Sequence, residues 1–292
     1  LKNFFPKNQQ VLDYGCGDGT VTGLLSMENK AIGVDISEKA IEICKKKQLE
    51  CRLVEPDKKT PFADNYFDCI LTKMKTSKNY LQRLDDLIII MKKSGFLNDN
   101  KIESAIRKIS RHEFVPTLLK EEAYEDTPLS IMKNQTISQP SVVSRMTEWL
   151  DILEGQKILE IGSGSGWQTA ILSYLVGHGK VYSIERHSEL AEFAKKNLEK
   201  LGINNVKVML GDGSLGFPEE SPFNRIIITA ACKKVPESLL EQLSTDGLLI
   251  APVGEFPQSL VLLKKTSHGI VEIKNQPGYV FVPLLGKFDR EK

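Results

Sequence analysis

The chain has 292 residues, 41% of them apolar and 26% charged, with a formal net charge of +1. That length holds one large α/β domain with its own core and a second, smaller unit. The balanced charge argues against nucleic acid or an acidic membrane as the partner, and no apolar run approaches the roughly 18 residues of a membrane span.

The opening residues, Leu1–Pro6, lack the apolar run of a signal peptide, and the first residue is not Met, so the chain reads as beginning inside a longer one. The five cysteines, Cys16, Cys44, Cys51, Cys69 and Cys232, form no CxxC pair. They read as reduced thiols of a cytoplasmic protein, and no metal site is expected from their spacing. The four histidines are equally scattered.

An internal echo organises the rest. Val11-Leu12-Asp13-Tyr14-Gly15-Cys16-Gly17-Asp18-Gly19 resembles Ile158-Leu159-Glu160-Ile161-Gly162-Ser163-Gly164-Ser165-Gly166. Each copy is an apolar run, an acid and alternate glycines, followed by helix-like sequence and a second apolar run ending in an acid. The acids lie 22 residues apart in the first copy (Asp13, Asp35) and 25 in the second (Glu160, Glu185). This layout of strand, glycine turn, helix and strand binds a nucleoside-bearing cofactor: the glycines let backbone approach the ligand, and the second acid can accept from both ribose hydroxyls. Either a nicotinamide dinucleotide or S-adenosylmethionine fits such a unit. The spacing Gly162, Gly164, Gly166 is G-x-G-x-G rather than G-x-G-x-x-G, which favours S-adenosylmethionine.

The first copy runs on through Pro61-Phe62 and Asn65-Tyr66-Phe67-Asp68 to a fourth strand near Cys69–Thr72, then breaks off in the polar stretch Lys73–Asn79. The second copy continues. A helix is predicted over 188–200, ended by Leu201-Gly202, then a strand over Val206–Leu210, a buried strand over Arg225–Ala231, a helix over Pro236–Leu243 and another buried strand over Gly247–Val253. Ser259–Lys265 and Val280–Leu284 read as closing antiparallel strands. The fold expected is α/β: a doubly wound, Rossmann-like sheet of seven strands with a C-terminal antiparallel hairpin, preceded by an incomplete N-terminal Rossmann-like half. The domains are placed at 1–80 and 81–292.

Motifs flanking the glycine loop are more specific. Arg111-His112-Glu113-Phe114-Val115-Pro116, Ala123-Tyr124-Glu125-Asp126, Gln135-Thr136-Ile137-Ser138-Gln139-Pro140, Gly211-Asp212-Gly213, Pro222–Ile226, Thr229-Ala230-Ala231, Pro252-Val253-Gly254 with Gln258, and Phe281-Val282-Pro283-Leu284 follow in order. From about 84 to 287 the chain resembles the protein-L-isoaspartate O-methyltransferases. Trp167, where Tyr is expected, and Cys232, where Ala or Pro is more usual, are small departures.

The resemblance implies methyl transfer from S-adenosylmethionine to the α-carboxylate of L-isoaspartyl residues in damaged proteins or peptides, a repair reaction passing through a succinimide. It makes Ser138 the active-site serine that orients the substrate carboxylate, with Thr136 supporting the loop or touching substrate. By itself Ser138 reads as a helix N-cap. Glu160, Gly162, Ser163, Gly164, Gly166, Glu185, Asp212 and Gly213 are the expected cofactor-binding set. Within it Glu185 takes the ribose, Asp212 the adenine amino group, and Glu160 organises the loop or reaches the methionine amino group. The plainer readings are a solvated acid for Glu185 and a turn former for Asp212; His112 reads as structural. Other activities stay open: an aspartyl O-methyltransferase acting on a dedicated peptide, or a non-catalytic cofactor-binding protein that recruits a partner. An RNA methyltransferase would want a basic surface. The N-terminal half is expected to contribute no methyl transfer, since its sheet stops early.

Overall fold

The computed structural model of the protein describes residues 7–17, 19–55, 62, 66–72 and 80–287. Leu1–Pro6, Asp18, Pro61, Asn65 and the polar stretch 73–79, all used in the sequence reading, lie outside the described residues. Two compact units are formed, Leu1–Asn79 with Pro116–Glu121, and Tyr80–Val115 with Glu122–Lys292.

The first unit runs β1 (Gln10–Tyr14), α1 (Thr20–Leu25), β2 (Lys30–Asp35), α2 (Glu38–Lys46), β3 (Cys51–Leu53) and β4 (Cys69–Thr72). Its four strands are parallel, in the order β3-β2-β1-β4. Val11, Leu12, Ile32 and Val34 are buried, which is why these strands read as unbroken apolar runs rather than alternating ones. Leu12, Val34 and Val54 gather Phe62, Phe67 and Leu118 on one side.

The second unit opens with α3 (Tyr80–Lys93), α4 (Asn100–Lys108), a short antiparallel pair β5 (Leu129–Ser130) and β6 (Thr136–Ile137), and α5 (Pro140–Leu150). The large sheet follows: β7 (Lys157–Ile161), α6 (Trp167–Val176), β8 (Lys180–Glu185), α7 (Ser188–Lys200), β9 (Val206–Leu210), β10 (Phe223–Ile228), α8 (Glu237–Glu241), β11 (Leu243–Val253), β12 (Gln258–Thr266) and β13 (Gly269–Tyr279). The strand order is β13-β12-β11-β10-β7-β8-β9. Pairings among β7 to β11 are parallel, and those of β12 with β11 and β13 are antiparallel. This is the expected doubly wound sheet of seven strands with a terminal hairpin. The chain moves outward from β7 to β9, then returns to place β10 on the other side of β7. The loops leaving the carboxyl ends of β7 and β10 therefore diverge, and a ligand crevice opens between them.

One strand lies elsewhere than predicted. The closing strand is Gly269–Tyr279, not Val280–Leu284. Most of β13 is exposed, with Ile270, Val271 and Ile273 each 38–47% accessible, so its sequence lacks the buried pattern that marks a strand. Residues 280–284 leave the sheet and cross to the end of β10, where Ala231 N–H donates to Val282 O and Leu284 N–H to Ala231 O, both at 2.7 Å.

Candidate cofactor and active site

Gly162, Gly164 and Gly166 have φ of 96°, 52° and 88°, backbone conformations in which a side chain is strained. Gly166 also caps α6, and a Cβ there would stand 3.3 Å from Ala194 of α7. Glu185, at the end of β8, is 5% exposed. One of its oxygens accepts from Gly164 N–H and the other from His187 N–H, each at 3.0 Å. The first unit repeats this arrangement: Asp35 accepts from Gly17 N–H and Ser37 N–H, each at 2.9 Å. The echo in the sequence is thus an echo in geometry, with an acid clamping a glycine loop to the strand beside it.

Glu160 is fully buried in β7. Its Oε2 accepts from Thr169 Oγ1 and Ser183 Oγ, both at 2.5 Å, and Ser183 Oγ lies 2.5 Å from Ser163 Oγ. Glu160 therefore braces the glycine loop through Ser183 and Ser163 and does not line the cleft. Its Oε1 is buried without a partner. Burial pushes the carboxyl up to about 7, against the bonds from Ser183 and Thr169, with Glu185 adding to the rise. Between the ordinary carboxyl value of 4.5 and about 7, the folded protein holds this proton more tightly than the unfolded chain does. Stability contributed here is present below the lower value and lost as pH rises across that window. In Glu160→Gln this loss should vanish, a difference of at most about 3 kcal/mol above neutrality. Thermal melts from pH 5 to 7.5 should show the variant flatter than the parent; parallel curves would disprove a proton held on Glu160.

Ser138 follows β6 and precedes α5. It does not cap the helix, contrary to the reading from sequence. The N-cap position is Gln139, and the Asp126 carboxylate serves the helix N-terminus instead, accepting from Ser141 N–H at 2.8 Å and Gln139 Nε2 at 3.2 Å. A carboxylate is well placed at the positive end of a helix. Among the described residues nothing in the protein bonds Ser138 Oγ, so the hydroxyl remains available to a ligand.

Thr136 and Ser138 line one cleft with Gly162, Ser163, Gly164, Glu185 and Gly213. A neighbouring cleft is bounded by Phe96, Gln276 and Phe281, and Thr136, Ser138, Thr229 and Val282 border both. Ser138 therefore stands where two cavities of one unit meet. Asp212 sits apart: its carboxylate accepts from Ser214 N–H and Oγ, at 3.0 and 2.7 Å, and from Lys287 N–H at 2.7 Å. Burial alone would raise this carboxyl, but those bonds together with nearby Arg186 hold it below its ordinary value. Among the expected cofactor set, Glu160, Gly166 and Asp212 do not line the cleft.

Three contributors were not singled out from sequence. Arg111, 1% exposed, donates to Ala123 O at 2.8 Å, Thr127 O at 3.0 Å and Ser138 O at 3.0 Å, and its guanidinium lies 5.3 Å from the centre of the Trp167 ring. Burial pushes it down to about 9, which leaves it a cation at neutral pH. Thr229 Oγ1 donates to Ile161 O at 2.9 Å and Gly162 O at 2.8 Å, fixing the turn where the glycine loop leaves β7. Residues 282–285 form a wall of the cleft. Arg111 and Thr229 stand in motifs already quoted, but nothing local marks them as supports. His112 lines neither cleft: Nδ1 lies 2.7 Å from Tyr124 Oη, and the ring stacks on Tyr80.

Residues 82–289 match the model of the protein-L-isoaspartate(D-aspartate) O-methyltransferase family, and residues 11–84 match one described as a methyltransferase domain. The protein-L-isoaspartate O-methyltransferase of Methanopyrus kandleri is 44% identical over 213 residues, covering 72% of this chain and 94% of that protein. The enzyme of the same name from Pyrococcus horikoshii is 44% identical over 216 residues, covering 73% of this chain and 98% of that one. Among solved structures, a protein-L-isoaspartate O-methyltransferase superposes with a TM-score of 0.62 at 34% identity, over 70% of this chain and 66% of the other. A Plasmodium falciparum structure described under the same activity, in complex with S-adenosyl-L-homocysteine, also gives 0.62, at 25% identity over 71% of this chain and 99% of its own.

Proposed function

We propose that this chain, which belongs to the protein-L-isoaspartate(D-aspartate) O-methyltransferase family, methylates L-isoaspartyl residues of damaged proteins and peptides at one site in its second unit. The observation that carries the reading is the position of Ser138, its hydroxyl without a partner among the described residues, where the glycine-loop cleft meets a second cleft. S-adenosylmethionine supplies an electrophilic methyl group on a sulfonium. The cleft suits it: Glu185 keeps acceptor capacity toward ribose hydroxyls, and the left-handed glycines bring bare backbone to the ligand. Ser163 and Gly213 line the same cleft, while Glu160 and Gly166 act behind it on the loop.

The substrate carboxylate is already anionic at neutral pH, so the site needs no general base. What it must do is align that carboxylate and keep water out. Ser138 Oγ–H donates to the carboxylate, Thr136 borders the same junction, and Val282, Pro283 and Leu284 close one wall. Asp212 shapes its turn and holds the Lys287 N–H, and its Oδ2 keeps a lone pair for an adenine amino group. The methyl ester then collapses to a succinimide, whose hydrolysis returns some ordinary aspartate.

The first unit takes no part in methyl transfer in this reading, with residues 81–292 as the working domain. Among its described residues the sheet ends at β4, so counterparts of β11 to β13 and of the 282–285 wall are missing. Cys16, Cys44, Cys51 and Cys232 are free thiols, which suits the reducing cytoplasm. No helix among the described residues is long and apolar enough to cross a membrane.

The test is methyl transfer from labelled S-adenosylmethionine to isoaspartyl and aspartyl forms of one peptide. Label should enter the isoaspartyl form alone, with about one cofactor bound tightly per chain. Equal labelling of both forms would point to a general aspartyl methyltransferase. Cofactor binding with neither peptide labelled would point to a recruitment protein.

A further inference from the structure

The first unit carries a feature that spacing in the sequence concealed. Sulfur atoms of Cys16, Cys44 and Cys51 all lie within 4.8 Å of one another. Cys16 and Cys44 are 6% and 0% exposed with sulfurs 3.9 Å apart, and Cys51 is partly buried. The three come from separate elements: the glycine loop after β1, the last turn of α2, and the first residue of β3. No CxxC pair is needed, because the parallel crossover brings them together.

Comparison with the second unit shows that the fold does not require thiols here. Asp13 pairs with Gly33 as Glu160 pairs with Ser183, and Gly33 pairs with Cys51 as Ser183 pairs with Val208. Cys16 and Ser163 each stand three residues past those acids, and Cys44 and Ala194 each lie against the third glycine of their loop, Gly19 and Gly166. Three positions filled by Ser, Ala and Val in one unit are thus all Cys in the other, with their sulfurs within 4.8 Å of one another. Space around the sulfurs is kept by glycine. A Cβ on Gly33 would lie 2.7 Å from Cys51 Sγ, and one on Gly19 2.9 Å from Cys44 Sγ. Where Ser183 fills the second unit and reaches Ser163, Gly33 leaves room beside the thiols.

We propose that Cys16, Cys44 and Cys51 bind one soft, thiophilic cation with a filled d shell, zinc(II) or copper(I), as three thiolates. Sulfurs bound at about 2.3 Å around one ion lie roughly 4 Å apart in a trigonal arrangement, close to the Cys16–Cys44 separation. An all-sulfur donor set selects soft cations over magnesium, calcium or manganese. Zinc would complete a tetrahedron with a fourth ligand; Gly17 O, 3.4 Å from Cys44 Sγ, is near. On binding, each thiol passes its proton to solvent and no electrons move. The ion would tie the glycine loop, α2 and β3 together in a unit whose small sheet buries little surface, the role structural metals play in small domains.

The experiment uses the full chain, reduced and stripped of metal, titrated anaerobically with cadmium(II) as a spectroscopic probe. A thiolate-to-metal charge-transfer band should saturate at one equivalent, copper(I) should displace the probe at comparable concentration and zinc(II) in excess, and separate titrations with zinc(II) and copper(I) rank the two ions. Cys16→Ser, Cys44→Ala and Cys51→Val install the side chains of the second unit. Each should lose at least tenfold in affinity, while Cys232→Ser should bind as the parent does. X-ray absorption of the zinc-loaded parent, which needs no variant, should find three sulfur neighbours. A first shell of oxygen and nitrogen, no band at several equivalents, or a band indifferent to all three substitutions would overturn the proposal.

Discussion

Arg111→Ala is expected to destabilise the protein by about 3–5 kcal/mol, the range for removing one partner from a buried charged network. In a domain of this size that lowers Tm by roughly 10 °C. The carbonyls of Ala123, Thr127 and Ser138 converge on this guanidinium, and without it they would be buried and unpaired. The consequence for activity follows from the third of them. Ser138 is held through its own carbonyl, so losing Arg111 frees the backbone that aims its hydroxyl. Arg111→Lys should recover little, because a compact ammonium cannot reach acceptors spread from Ala123 to Ser138. Calorimetry gives the stability. Kinetics at a temperature where the variant is folded should show kcat reduced with cofactor affinity near normal. A Tm within 2 °C of the parent would show that the carbonyls find other partners.

Ser138→Ala and Glu185→Ala should separate substrate alignment from cofactor binding. Glu185→Ala removes two acceptors from backbone N–H groups as well as those offered to the ribose. It should weaken S-adenosylmethionine binding by roughly 1.5–3 kcal/mol, about 10- to 150-fold. Ser138→Ala should leave that affinity nearly unchanged and cut turnover by up to about 100-fold, the usual scale for misaligned reactants. Titration calorimetry and steady-state kinetics on both variants decide the matter. Exchanged phenotypes would mean that the two clefts have been assigned the wrong way round.

Much of the fold was legible because parallel strands buried on both faces leave continuous apolar runs. Val206–Leu210 and the helix 188–200 match their predicted limits, and the glycine-acid echo located both glycine loops. What the residues stated locally was local chemistry: left-handed turns that require glycine, and an acid at the end of the next strand. The closing strand was misplaced because β13 lies exposed at a sheet edge, where burial imposes no pattern.

Sequence alone therefore determined the class of fold, the family resemblance, and the residue types of the glycine-loop cleft. Tertiary structure decided which atoms are free. Asp126, twelve residues upstream of Ser138, takes over the capping that adjacency assigned to Ser138. Glu160 faces Thr169 and Ser183 inside the sheet, and Asp212 is engaged by the Lys287 N–H. Three cysteines with no motif between them meet because β1, α2 and β3 converge. Each of these depends on contacts between segments distant along the chain, and a hydrogen bond or a shared cavity is set by where folding places its partners, not by their spacing in sequence.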